Sequence, residues 1–364
     1  MQNRMQVILG FCLVIFLLGF RSPQSEMAEF KVGVLLCLTG ECAEWGQNSL
    51  NGVRLAVDEI NAEGGILGKK VKLVVQDTKE GSTGANSVSA YQALTIDKNV
   101  NYIIGPSWTI GGLPIAPIAA KNPNLIITSP SLGVADFNET ADNIFNTWPH
   151  DSISTKALAK YAIDSGWKTA AVFSNQNPWE NTQGRVFVEE FKKLGGEIKL
   201  LLEPLASQTN IKMEALKIKN ANPDVVFFSN YTQMDIAAKE LKGLRFTGNK
   251  LAILMDDTRI NSAGGALEGT IFAMYPEAQA DFITRFQAKF NNKPGITADT
   301  AYDTMKLYAL AITQAKTFDT SSVKKILPNT QYSGASGKIV FDTKRGVIKS
   351  PIFWVVKDSK KVPL

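Results

Sequence analysis

Apolar and polar positions first divide the chain into a leader and an alternating body. Val7–Phe20 runs without a charge after a short N-terminal stretch carrying Arg4. A basic start followed by an apolar run reads as a secretory signal, and the run is shorter than the roughly 20 residues a membrane-spanning helix needs. Residues 1–28 are read as the signal, with Ala28 a plausible last residue and Glu26 an unusual neighbour for the cut. Cys12 lies inside the apolar run rather than after it, which argues against a lipid-anchored cysteine.

Beyond the leader, short β-branched and apolar runs alternate with segments of helical spacing. Phe30–Leu38 has strand composition, whereas Leu50, Val53, Val57 and Ile60 repeat at the helical interval before Gly64-Gly65. Val71–Gln76, Tyr102–Ile104 and Leu125–Thr128 read as further strands, with a helix over 85–96. The alternation restarts after Trp148-Pro149: strands over 168–173, 197–202, 224–228 and 250–255, with helices over 152–165, 180–194, 211–219 and 233–243. A strand over 269–275, helices over 279–291 and 299–315, and strands over 338–341 and 352–356 complete the chain. Repeated strand–helix units predict parallel sheets covered by helices on both faces. The expected fold is therefore α/β, with two doubly wound lobes. Because the late helices must join one of them, the lobes interleave: 29–147 with 277–332, and 148–276 with 333–364.

Composition narrows the chemistry. Charged residues make up 20% and hydrophobic residues 45%, an ordinary globular mix. Losing Arg4, Arg21 and Glu26 with the leader takes the formal charge from +5 to +4, and no Lys/Arg run points to nucleic acid. The single histidine, His150, and three cysteines leave little for a metal centre or a disulfide scaffold. His150 is assigned a structural role at the lobe junction. Cys37 and Cys42 either close a small loop in an oxidising compartment or remain free thiols; spacing alone does not decide. Gly64–Lys70 lacks the spacing and hydroxyl of a phosphate loop, and neither a dinucleotide fingerprint nor a nucleophile elbow is present. The chain reads as a binder, with no cofactor or metal expected.

The predicted strand ends carry the candidate site, since open α/β sheets bind ligands beyond their carboxyl edges. In the first lobe these ends lead to Trp45, to Thr109, and to Ser131 and Gly133. Hydroxyls and free amides at helix starts suit a carboxylate, although ordinary helix capping uses the same residues. In the second lobe the ends lead to Trp179, to Tyr231 and to Asp256-Asp257. An acid with a phenol oxygen suits an ammonium group. Each tryptophan taken alone could equally be core, and each aspartate a solvated loop acid.

Val32-Gly33-Val34-Leu35-Leu36, Leu38-Thr39-Gly40 and Ala56-Val57-Asp58-Glu59-Ile60-Asn61-Ala62-Glu63-Gly64-Gly65 resemble the opening of the branched-chain amino-acid binding proteins. These are the extracytoplasmic receptors of ABC importers, with the type I periplasmic-binding fold. The likeness continues through Ile104-Gly105-Pro106-Ser107, Tyr302-Asp303 and Ser333–Asp342, essentially the whole mature chain. It implies two lobes joined by three crossovers, a monomer closing on its ligand by a hinge, a periplasmic location and a membrane permease as partner. It further implies ligand contacts at Trp45, Thr109, Ser131, Gly133, Trp179, Tyr231 and Asp257, with Asp256 as the one-residue alternative to Asp257. Gly133 replaces a usual hydroxyl residue, two tryptophans replace tyrosines, and aspartate replaces glutamate. These departures leave open an aromatic amino acid, a smaller amide or an aromatic acid. A ligand sensor signalling to another protein is the alternative, and a secreted enzyme is disfavoured.

Overall fold

The computed structural model describes residues 28–80, 84–96 and 100–364. Residues 1–27 of the expected leader lie outside them, and Ala28 directly precedes the first strand.

Five parallel strands form the first sheet: β1 (Glu29–Leu36), β2 (Lys70–Asp77), β3 (Tyr102–Ile104), β4 (Ile126–Ser129) and β5 (Ile144–Asn146), in the order β2-β1-β3-β4-β5. Helices α1 (Ala43–Ala62), α2 (Ala85–Ile96), α3 (Thr109–Ala119) and α4 (Ala135–Glu139) alternate with them. β3 and β4 are buried along their whole length, as strands covered on both faces must be.

The second sheet follows the same logic. It contains β6 (Thr169–Phe173), β7 (Glu197–Leu202), β8 (Val225–Phe228), β9 (Asn249–Ala252) and β10 (Ile271–Met274). Between them run α5 (Asp151–Asp164), α6 (Pro178–Lys193), α7 (Lys212–Ala221), α8 (Met234–Gly243) and the short α9 (Asp257–Ser262). Two strands from the end of the chain, β13 (Ile352–Lys357) and β14 (Lys360–Pro363), extend this sheet to the order β14-β13-β10-β9-β8-β6-β7. Only the β10–β13 and β13–β14 pairs in it are antiparallel.

The late helices α10 (Ala280–Phe290), α11 (Ala298–Ala315) and α12 (Thr320–Ile326) return to the first lobe. Phe282, Phe286, Tyr302, Met305 and Tyr308 share one core with Val32, Val34 and Leu36 of β1. Tyr308 joins that core to the sheet, its hydroxyl lying 2.8 Å from both Ile103 O and Thr128 Oγ1. The hairpin β11 (Tyr332–Gly334) and β12 (Gly337–Ile339) follows.

Residues 333–347, expected with the second lobe, pack otherwise. Ala335, Ile339, Phe341 and Val347 are buried in the first-lobe core. The chain rejoins the second sheet only at β13. The apolar pattern of 338–341 marks a buried segment without saying which core buries it.

Candidate functional site

The carboxyl edges of the two sheets face each other across an interlobe cleft. Its inner part is a narrow cavity, partly open to solvent, walled by both lobes. Trp45, Trp108, Thr109, Ile110, Ser131 and Gly133 line it from the first lobe. Asp151, Asn177, Trp179, Glu180, Tyr231, Thr232 and Leu254 line it from the second.

Trp45 belongs to the first turn of α1, just after the Cys37–Cys42 loop. These cysteines form a disulfide with Cα atoms 5.8 Å apart, inside the usual range. The bond ties the end of β1 to the start of α1 and fixes where the indole can lie. That ring meets Trp108 at 6.0 Å, Trp148 at 6.4 Å and Tyr231 at 6.3 Å between centroids. Tyr231 lies across the cleft, so Trp45 bridges the lobes. Opening the disulfide with a reductant, or by Cys42→Ser, is expected to lower stability by about 2 kcal/mol through loop entropy and to weaken ligand binding. Thermal unfolding and calorimetry with and without reductant check this.

Thr109 opens α3, whose first amides have no partner within the helix. Its side chain is 3% exposed and its hydroxyl bonds to no other described residue. Trp108 is held by its amide, which donates to Glu80 Oε2 at 2.8 Å. Burial pushes the Glu80 carboxyl up to about 7. Ser131 is less free than its type suggested. Its hydroxyl donates to Ser107 O at 2.6 Å, and its amide and that of Leu132 both donate to Ser129 Oγ.

Gly133 meets Asp151. The Asp151 amide donates to Gly133 O at 2.9 Å. A Cβ on Gly133 would lie 1.7 Å from Asp151 Oδ2 and 2.6 Å from Trp179 Nε1. The acid therefore occupies the space that a side chain at 133 would need. Trp148 Nε1 donates to Asp151 Oδ1 at 3.1 Å and Trp179 Nε1 to Oδ2 at 2.7 Å. Burial raises this carboxyl to about 7, against the two indole donors.

At the second-lobe edge, the Tyr231 hydroxyl donates to Asp256 Oδ2. Burial first, and the nearby Asp256 charge second, push the phenol well above its ordinary range. The Arg259 guanidinium lies 4.6 Å over the Tyr231 ring and donates to Thr232 O at 3.1 Å. Asp256 also caps α9 by accepting from the Arg259 amide at 2.8 Å. Glu180, in the first turn of α6, is 3% exposed. Its Oε1 accepts from both the amide and the hydroxyl of Thr232, at 2.9 and 2.8 Å.

Six of the seven expected residues thus line one cavity, and Asp257 does not. It is exposed at the start of α9 and lines a larger outer compartment with Asp256, Asp299 and Lys349. β9 ends at Ala252, earlier than the apolar run to Met255 suggested. The following residues turn Asp256 inward to Tyr231 and leave Asp257 outside. Sequence reasoning missed Asp151 and Glu180. Both sit in the first turn of a helix, where an acid ordinarily answers the helix dipole. Their burial marks them as different. His150 lies behind the site, its Nε2 3.0 Å from Asn138 Oδ1, and burial lowers its pKa.

Residues 29–361 match the family model described as periplasmic binding protein. A Leu/Ile/Val-binding protein homologue from Brucella melitensis is 25% identical over 95% of this chain and 96% of its own. A leucine-, isoleucine-, valine-, threonine- and alanine-binding protein from Pseudomonas aeruginosa is 24% identical over 90% of this chain and 89% of its own. Among solved structures, a leucine-binding protein from Thermotoga maritima superposes with a TM-score of 0.83 at 23% identity, covering 92% of this chain and 97% of that one. A solute-binding protein from Rhodopseudomonas palustris, solved with 3,4-dihydroxybenzoic acid, gives 0.81 at 23% identity over 92% and 96%. With its two interleaved, parallel-rich lobes and a family match across nearly all its described residues, the chain belongs to the periplasmic binding proteins, a family of receptors and not of enzymes.

Proposed function

We propose that this protein is the extracytoplasmic receptor of an ABC importer. It captures an amino acid, or a related small carboxylate or amide, in the inner cavity and presents it to a membrane permease as a closed monomer. The observation that carries this reading is that Trp45, Thr109, Ser131, Gly133, Trp179 and Tyr231, drawn from both lobes, converge on one cavity. Thr109 and the free amides at the start of α3 would take the ligand's carboxylate or carbonyl oxygen. Trp45, Trp108 and Trp179 would cover its apolar part, with desolvation on closure supplying much of the affinity. Ligand would act by favouring the closed form that the permease recognises. The tryptophan walls favour a flat or bulky group, consistent with relatives and neighbours whose ligands are branched-chain amino acids in some and an aromatic acid in another.

Mass spectrometry of small molecules released from the purified, denatured protein, followed by calorimetry with those molecules, tests the reading. Trp45→Ala and Thr109→Ala are each expected to weaken binding at least about tenfold, or 1.4 kcal/mol, without unfolding the protein. Retention of full affinity in both variants would remove the inner cavity as the site.

A further inference from the structure

The inner cavity is lined by two carboxyl groups and by no lysine, arginine or histidine. Both acids come from the second lobe, and neither forms an ion pair among the described residues. Asp151 has a donor on each oxygen. Glu180 does not. Thr232 holds its Oε1; the Asn175 side chain and the Tyr231 amide also lie beside the carboxyl, but none of them makes a well-formed hydrogen bond to the buried Oε2. The nearby cation, Arg259, directs its terminal nitrogen to Thr232 O and Asp235 and lies over the Tyr231 ring, with its Nε buried and unpartnered. A buried carboxyl oxygen without a donor is costly and is relieved by a proton or by a donor brought from outside.

We infer that Glu180 is the acceptor for a ligand N–H group, so that the cavity selects solutes bearing an amine or amide and rejects otherwise identical acids that lack one. The inference rests on the receptor reading above and moves the ammonium-binding, anionic pole from Asp257 to the first turn of α6. Thr232 fixes the carboxylate through one oxygen and leaves the other for the ligand. Asp151, on the neighbouring helix α5, adds negative potential that further disfavours a second carboxylate. The pole is complementary to the start of α3 across the cleft, where free amides await an oxygen. A site built to hydrogen-bond a group discriminates strongly against the analogue without it, because its own polar atoms are then left unpaired.

Glu180 and Asp151 are each held near 7 by burial. An arriving ammonium group therefore favours the ionised form of Glu180, and a proton leaves with binding. The other titratable and charged groups around this carboxyl are the Tyr231 phenol, held by Asp256, and the Arg259 guanidinium behind Thr232. Burial and the Asp256 charge keep the phenol neutral through the neutral range.

Calorimetry on the full mature protein with three matched pairs provides the test: phenylalanine against 3-phenylpropanoate, leucine against 4-methylpentanoate, and benzamide against benzoate. In the unmodified protein the N–H member of a binding pair should win by at least about tenfold. Glu180→Gln should cut that preference to under about threefold without weakening the acid lacking nitrogen. Binding of an amino acid at pH 6.5, measured in two buffers of different ionisation enthalpy, should release protons. This readout needs no variant. A nitrogen-free acid binding equally well, a preference that survives Glu180→Gln, or binding with no proton release would overturn the assignment while leaving the receptor reading intact. Failure of the unmodified protein to bind any member of any pair would overturn both.

Discussion

Gly133→Ala is expected to weaken ligand binding by about a hundredfold or more, the largest loss from any single methyl group in the site. The added Cβ would fall 1.7 Å from Asp151 Oδ2. Neither partner can easily give way. Two indole nitrogens pin the carboxyl, and the Asp151 amide is bonded to the Gly133 carbonyl. The strain would be relieved by separating the lobes at this point, the reverse of the closing movement that binding needs. Overpacking of this kind costs about 1–3 kcal/mol of stability, so the variant should still fold. Asp151→Ala in the same molecule removes the obstruction. The double variant should recover part of the lost stability, a coupling that independent sites would not show. Calorimetry and thermal unfolding of the two single variants and the double variant measure both effects. Wild-type affinity in Gly133→Ala would mean that the ligand does not bind the closed arrangement of Gly133 and Asp151.

That contact also shows where sequence reading stopped. Repeating strand and helix patterns were enough to place two doubly wound lobes, because the longer buried parallel strands are mostly continuous apolar runs. Val225–Phe228 is all apolar and all buried. The same rule placed Trp45, Thr109, Ser131, Gly133, Trp179 and Tyr231 at strand ends, and the resemblance identified them as cleft residues. It could not show that Gly133 is glycine because an acid from the other lobe fills its side-chain space. That relation joins residues 133 and 151 across a crossover and has no local signal. The pattern also misjudged where short elements end. β5 (Ile144–Asn146) has only two apolar residues before a polar one, too few for a recognisable run, and three residues from Ile253 to Met255 extend an apolar stretch beyond the true strand. With the strand ending earlier, Asp257 lies in the outer compartment and outside the inner cavity. Glu180 gives no local signal, because its burial depends on Thr232 and Tyr231, which are about fifty residues away in the chain.

Asp303→Ala is expected to destabilise the protein by about 3 kcal/mol or more, by stranding two buried amides. Asp303 lies in α11 and is fully buried. Its two oxygens accept from the amides of Ala335 and Ser336, each at 2.7 Å. These amides belong to the segment that leads back to the second sheet, and Lys349 grips the same turn through Ser336 Oγ at 2.8 Å. The acid thus anchors the last interlobe connection to the first lobe. Asp303→Asn keeps one acceptor but presents an NH₂ group to the other amide, so its loss should fall between wild type and alanine. The pH dependence separates this anchoring from simple loss of packing. Burial raises the Asp303 carboxyl to about 6 despite its two donors. For an acid whose folded pKa lies above its unfolded value, the unfolded chain ionises first. Stability is then greatest below about pH 4 and falls as pH rises towards 6, by about 1.4 kcal/mol for each pH unit crossed between the unfolded and folded pKa values. Asp303→Asn and Asp303→Ala both remove that contribution. The stability gap between wild type and either variant should therefore shrink as pH rises from 4 to 6, then stay constant to pH 8. Denaturant unfolding at several pH values measures the gap directly, and a gap independent of pH would show that Asp303 does not titrate in the folded chain.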